Sequence, residues 1–212
     1  MTAPLTEAGW VSPELREELP GLGLRYAVVE SGSGRSPREL KAQLRELADR
    51  FSGPQAINLR HQPIPWAYRV FYRHIGLDPD EQPTPVEELA LERMKHGGFR
   101  SQTLLDDALT IAIMESGVAV RAFDADKVEG ALGIRSSQPG EELEGRPGEL
   151  PAGTLVIADE TRPVALLVGA TASGRGVVPR TKRTLLCALQ VKGVPDIAVE
   201  EAIWLARGVL QG

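Results

Sequence analysis

Cysteine is nearly absent: Cys187 is the single thiol among 212 residues, so no intrachain disulfide can form. Histidine is almost as scarce. His61, His74 and His96 stand 13 and 22 residues apart, and neither a Cys-x-x-Cys nor a His-x-x-x-His spacing occurs. A zinc site is not expected from such a set, and no other cofactor is implied. No apolar run reaches the ~20 residues a spanning helix needs, so no membrane association is expected. The opening stretch MTAPLTEAGW has neither a positive n-region nor an apolar h-region. With one cysteine, that points to a soluble cytoplasmic protein. The Gly-rich run GATASGRG, 169–176, lacks the Gly-Lys-Ser/Thr ending of a phosphate loop and reads as a connection between strands. There is no Gly-x-Ser-x-Gly, and Cys187 sits in an apolar run without a basic neighbour. A buried, inert thiol is the expectation there.

What is present describes one ordinary domain. Hydrophobic residues make up 42% and charged residues 25%, which argues against disorder. A chain this long buries roughly 70% of its unfolded surface and needs no staple. The net charge of −5 excludes a globally basic nucleic-acid coat but not a local basic face.

The patterning predicts an α+β fold, with a helical amino-terminal part and a mostly β part after Gly117. Ser12-Pro13 opens a helix, LRYAVVE (24–30) reads as a strand, and Ser36-Pro37 opens a helix whose Leu40, Leu44, Leu47, Ala48 and Phe51 share one face. In PIPWAYRVFYRHI, 63–75, Ile64, Ala67, Phe71 and Ile75 can share a face with Trp66 and Val70 beside it. Thr84-Pro85-Val86-Glu87 fits a capping box, closed by Gly97-Gly98. Residues 104–115 are apolar enough for the most buried helix, with Leu105, Leu109, Ala112 and Ile113 as its core contacts. Then come the strand-like runs VAVRAFD, ALGIR, GTLVIAD, VALLVG and TLLCALQV, and a last helix from Asp196 carrying Ile197, Ala202, Ile203, Ala206, Val209 and Leu210.

Charge placement is uneven. No acid occurs from Arg50 to Leu77, where Arg60, His61, Arg69 and Arg73 are interleaved with Trp66, Tyr68 and Tyr72. None occurs from Thr161 to Pro195 either, a window holding Arg180, Lys182 and Arg183. Those seven basic residues form a candidate RNA-binding face on which the aromatics stack bases. Ordinary charge clustering around core aromatics accounts for them equally well.

Three stretches resemble the B3/B4 editing domain of the bacterial phenylalanyl-tRNA synthetase β subunit. They are PWAYRVFYRHIGLDP (65–79) with the following TPVEEL, then LLDDALTIAIMESGVAVRAFDADKVEGALGIR (104–135), then GTLVIAD (153–159) with the segment down to TLLCALQV. The resemblance covers about residues 60–192 and implies a B3/B4-like unit over 60–212, with 1–59 as an extension packed on it. It implies contact with the acceptor end of an aminoacyl-tRNA, an amino acid as ligand, and hydrolysis of the ester; the oligomeric state is not implied. In the synthetase, this domain removes tyrosine wrongly joined to phenylalanine tRNA.

By the same likeness, Arg121 stands where the family has a His before Ala-Phe-Asp. Thr110 keeps one hydroxyl of a Thr-Asn pair, one place along. Cys187 falls at or beside the Glu that reads the tyrosine hydroxyl, and Ala165 and Leu166 fall near a small Ala-Gly pair. The implied machinery is therefore Arg121 or Thr110 as oxyanion donor, Asp107 orienting water, and a pocket of Ala165, Leu166 and Cys187, more apolar than the family's. Each has a plainer alternative: Asp107 as a helix cap or salt bridge, Thr110 bonded to the preceding turn, Arg121 in solvent. Two classes of function follow, a deacylase acting in trans on mischarged tRNA and a non-catalytic RNA-binding or amino-acid-sensing module.

Overall fold

The structure, a computed structural model, describes residues 6–51 and 53–212. Residues 1–5 of the opening stretch lie outside the described residues. In chain order come β1 (Glu7–Ala8), β2 (Trp10–Val11), α1 (Pro13–Glu18), β3 (Gly23–Val29), α2 (Arg38–Arg50), α3 (Gly53–Asn58), α4 (Pro63–His74), α5 (Pro85–His96) and α6 (Leu104–Ser116). After Gly117 follow β4 (Val120–Asp124), β5 (Gly133–Ser136), β6 (Leu155–Ala158), β7 (Pro163–Leu166), β8 (Thr184–Gln190) and α7 (Asp196–Gln211). The fold class is α+β, as the sequence pattern predicts. The acid-poor Gly-rich run joins β7 to β8.

Two four-stranded sheets carry it. The first runs β1-β3-β8-β4, antiparallel throughout; the second runs β2-β5-β6-β7, with β2 parallel to β5. β3 pairs with β8 along its whole length, from Gly23 opposite Gln190 to Val29 opposite Thr184. The residues before position 60 thus supply an inner strand of the first sheet.

The ribbon 7–11 joins the sheets, because β1 pairs with β3 and β2 with β5. Gly9 makes the crossing: a Cβ there would lie 2.2 Å from Leu24 Cδ1. Trp10 then lies flat on Gly133, and its indole donates to the Ala131 carbonyl at 3.0 Å.

The helix ends follow their side chains. Thr84 and Glu87 form the capping box of α5, Thr103 accepts from the Asp106 amide at the start of α6, and Gly97 and Gly117 end both helices in the left-handed conformation. α6 is buried through Leu105, Ala108, Ile111, Ala112, Ile113 and Met114. Leu109, expected in the core, is only partly buried, because with Thr110 it borders a cleft beside α5. On α4, Trp66 and Val70 are 47% and 45% exposed, while Tyr68, Arg69 and Tyr72 turn inward. The reason is polar. The Tyr68 hydroxyl donates to the Leu189 carbonyl at 2.5 Å and accepts from the Ala119 amide at 3.2 Å, a clasp that fixes the rotation of α4. Ile197 is likewise outside, since α7 buries Ala198, Val199, Ala202, Ile203, Ala206 and Leu210.

The contact between Trp10 and Gly133 gives a direct test. A Cβ at position 133 would sit 1.9 Å from the indole, so Gly133→Ala should destabilise the fold by about 2–3 kcal/mol, the upper range of overpacking. Adding Trp10→Ala should recover part of the loss in urea denaturation. A neutral Gly133→Ala would mean that β2 does not pack on β5 this way.

Candidate functional site

The first sheet, the end of the second sheet and α4 enclose a cavity of about 470 Å³. Its geometry begins with strand register. Tyr26, Cys187 and Arg121 are paired across β3, β8 and β4, and residues directly opposite in an antiparallel pair point to the same face. Cys187 and Arg121 line the cavity together with Leu24 and Leu189; Ile157 of β6 and residues 167–169 after β7 close one wall. Tyr68 and Tyr72, four residues apart on one side of α4, close another, and Gln82, Pro83, Pro85 and Glu88 form the rim.

Arg121 is the cation of this space among the described residues. Its Nη1 donates to the Leu166 carbonyl at 2.6 Å, and its Nη2 to the Gly169 carbonyl at 3.0 Å and the Thr171 hydroxyl at 2.9 Å. A guanidinium has five N–H donors, so Nε–H and one Nη1–H remain unused. The guanidinium carbon lies 5.6 Å from the centre of the Phe123 ring, a cation–π contact. Among the described residues no carboxylate pairs with it, and burial pushes its pKa down.

The neighbours respond to it and to the enclosure. Burial pushes the Cys187 thiol up to about 12, only partly offset by Arg121, so at neutral pH it is a neutral thiol and no nucleophile. Burial also pushes Tyr72 up to about 12; Glu88 raises it further and Arg121 opposes, which places both charges near the phenol. Among the described residues the Tyr72 hydroxyl has no hydrogen-bond partner in the protein.

The other expected site residues fall elsewhere. Ala165 is fully buried in β7, and Leu166 reaches the site through its carbonyl rather than its side chain. Thr110 lines a separate cleft of about 290 Å³ between α5 and α6. Asp107 is enclosed outside the cavity. It accepts from Ser36 Oγ at 2.5 Å, Ser101 Oγ at 2.6 Å and the Gln102 amide at 3.4 Å, a cradle that ties two loops to α6 and leaves it no water to orient. Tyr72 and Glu88 are the cavity groups that the sequence reading did not assign to it. The 68/72 spacing on a helix was the available signal.

The basic residues do not form one face. Arg69 is 3% exposed and held by Glu87 and Asp80, each at 2.6 Å, which leaves no phosphate-binding role for it. Exposed Asp80 also lies 3.8 Å from Arg60 and 3.9 Å from Arg73, and His61 is exposed nearby on the chain. Arg183 pairs with Glu30 at 3.0 Å and Asp126 at 2.8 Å, beyond the Thr184 end of β8, where Arg180 and Lys182 also stand. α4 meets the other end, near Leu189 and Gly193. The seven residues of β8, about 20 Å, separate the two groups.

Among the described residues no group of His, Cys, Asp and Glu is placed to hold a metal ion, and no helix is long and apolar enough to cross a membrane.

Comparison with known proteins places this cavity in context. A family model described as B3/4 domain matches residues 67–198. The phenylalanine–tRNA ligase β subunit of Xanthomonas euvesicatoria is 39% identical over 94 residues, which is 43% of this chain and 12% of that protein. The β subunit of Vibrio parahaemolyticus is 35% identical over 101 residues, 46% of this chain and 13% of that protein. The matched stretch therefore spans about an eighth of these relatives. Among solved structures, an N-terminal fragment of the phenylalanyl-tRNA synthetase β subunit from Pyrococcus horikoshii aligns with a TM-score of 0.41 at 14% identity, covering 95% of this chain and 53% of that one.

The thiol supplies a stability test. Its folded pKa of about 12 lies above the ordinary 9.0, so its contribution is complete below pH 9 and is lost as pH rises towards 12. Between pH 8 and pH 10 the wild type should lose about 1 kcal/mol more unfolding free energy than Cys187→Ala, measured by denaturant titration. Equal losses would place the thiol in water.

Proposed function

The chain belongs to the B3/4 domain family, and from that membership we propose that its cavity receives the aminoacyl group of an aminoacyl-tRNA and that the protein hydrolyses the ester in trans. The observation that carries this reading is Arg121: a half-buried guanidinium in a largely apolar cavity, with no carboxylate partner among the described residues and with two N–H donors unused within the protein. An ester carbonyl needs such donors as it becomes an oxyanion, and they act most strongly where water is excluded.

The rest of the cavity fits the other parts of that ligand. Leu24, Ile157, Leu189 and the neutral Cys187 thiol offer an apolar wall to the amino-acid side chain. Glu88 at the rim suits the α-ammonium, and the Tyr72 hydroxyl is available to either polar group. Water attacks the carbonyl carbon, Arg121 stabilises the tetrahedral oxyanion, and collapse breaks the bond to the ribose oxygen. The proton lost by the water ends on that oxygen, giving free amino acid and tRNA. An aminoacyl ester is already activated, so positioning and one good donor supply much of what the reaction requires. Proton movement is left to the water and to the neighbouring ribose hydroxyl of the substrate.

The position of Asp107 and Thr110 outside the cavity favours a second reading, a module that binds the aminoacyl end without cleaving it.

A panel of aminoacyl-tRNAs incubated with pure protein separates the two, with free amino acid as the readout. Under the first reading, esters of apolar amino acids are cleaved. Arg121→Ala then lowers kcat about 10²-fold with little change in KM, and Arg121→Lys recovers part of it. Tyrosyl esters are cleaved about 5- to 150-fold less well, because a buried phenol facing a thiol lacks an acceptor, and Cys187→Glu restores them. Tight binding without release of any amino acid supports the second reading. Absence of both binding and release overturns the assignment of the cavity.

A further inference from the structure

On the opposite side of α4 from the cavity lies a second concavity of about 530 Å³ that the proposed chemistry does not use. At 100° per residue, Tyr68 and Tyr72 point one way while Trp66, Val70 and His74 point the other. Leu19, Leu22, Ala67 and Phe71 form its apolar floor, and Trp66 and Val70 stand half exposed at its edge. Among the described residues the polar side chains lining it are His74 and Lys192, both exposed, and no acid lines it. Arg73 adds a guanidinium 5.8 Å from the centre of the Trp66 ring. Among the described residues Lys192 has no ion-pair partner; Arg73, on the ridge of α4 that separates the two concavities, lies 3.9 Å from Asp80.

We propose that this cleft binds an unpaired nucleotide of single-stranded RNA, its base against Trp66 and the apolar floor and its phosphate at Lys192 and Arg73. Two features argue for RNA over other occupants. The first is charge: in a chain of net charge −5, the cleft is lined by no acid among the described residues and its edge carries cations, which complements a phosphate backbone. The second is shape: Trp66 is 47% exposed beside an apolar floor, and an exposed indole is a stacking partner for any base, since every base has a face to offer it. Position agrees. The cleft and the aminoacyl cavity are separated by one helix, about 10 Å, a span that two or three unpaired nucleotides cover. This inference rests on the preceding reading for the identity of the RNA, an acceptor end, but not for the chemistry at Arg121.

The test uses the full chain and two probes, unacylated tRNA and a fluorescently labelled RNA tetranucleotide ending in CCA. Trp66→Ala should weaken binding of both about 5- to 150-fold, the range for loss of one stacked base, while Trp66→Phe keeps most of the affinity. Lys192→Glu should flatten the log–log salt dependence by about 0.7 or more, one phosphate contact. Hydrolysis of an aminoacyl ester of adenosine alone, which lacks neighbouring nucleotides, should be unchanged in both variants. RNA binding that ignores Trp66→Ala and Lys192→Glu would overturn the proposal. So would a change of sedimentation coefficient in Trp66→Ala with RNA binding intact, since the cleft would then be a protein interface. If RNA binding responds as expected but no ester is cleaved, the cleft stands and the hydrolytic reading alone falls.

Discussion

A guanidinium drawn partly out of water needs acceptors, and Arg121 finds three of them in or beside a different sheet from its own. It leaves β4 of the first sheet and donates to the Leu166 and Gly169 carbonyls and the Thr171 hydroxyl, at the end of β7 in the second. Those two carbonyls belong to the end of β7 and the turn after it, where an acceptor gains from a donor as the guanidinium gains from acceptors. The same bridge spaces the sheets at the cavity and holds the guanidinium still. Arginine keeps its proton in proteins, so enclosure strengthens its field without costing it the charge.

α4 divides the remaining work among its faces. Tyr68 and Tyr72 turn to the cavity, Ala67 and Phe71 to the core, Trp66 and Val70 outward. Arg69 locks that rotation. It lies buried between Glu87, which also belongs to the capping box of α5, and Asp80 of the loop that forms the cavity rim. Removing one partner would strand a buried charge, so the pair acts as a rigid hinge between α4, the rim and α5.

Much of this was legible in the sequence for physical reasons. Pro at the first helical position, the capping box of Thr84 and Glu87, and the stops at Gly97 and Gly117 are local chemistry, and the structure bears them out. Periodicity placed α2 and the buried character of α6 for the same reason. It misplaced Leu109 and left the direction of Trp66, Val70 and Ile197 open, because hydrophobicity alone cannot say which of two apolar stripes faces inward. Tyr68 decided that on α4, through hydrogen bonds to residues 51 and 121 positions away. Arg121 and Cys187 were recognised from likeness to a family, and only strand pairing puts them side by side. Asp107 looked catalytic by type and place on its helix, yet Ser36 and Ser101 come from distant or turned segments that a linear reading does not bring to it. The acid-free windows were real in sequence, but β8 holds them apart.

The central claim is that Arg121 meets the reacting end of the ligand. The most direct measurement is a ¹⁵N NMR titration of the arginine Nε–H resonances, with Arg121 assigned through Arg121→Lys, against a non-hydrolysable amide analogue of 3′-aminoacyl adenosine. The account predicts that the Arg121 Nε–H shifts and saturates with the ligand, while the amides of Asp107 and Thr110 on α6 stay in place. A saturating shift confined to α6, with Arg121 unmoved, would contradict it.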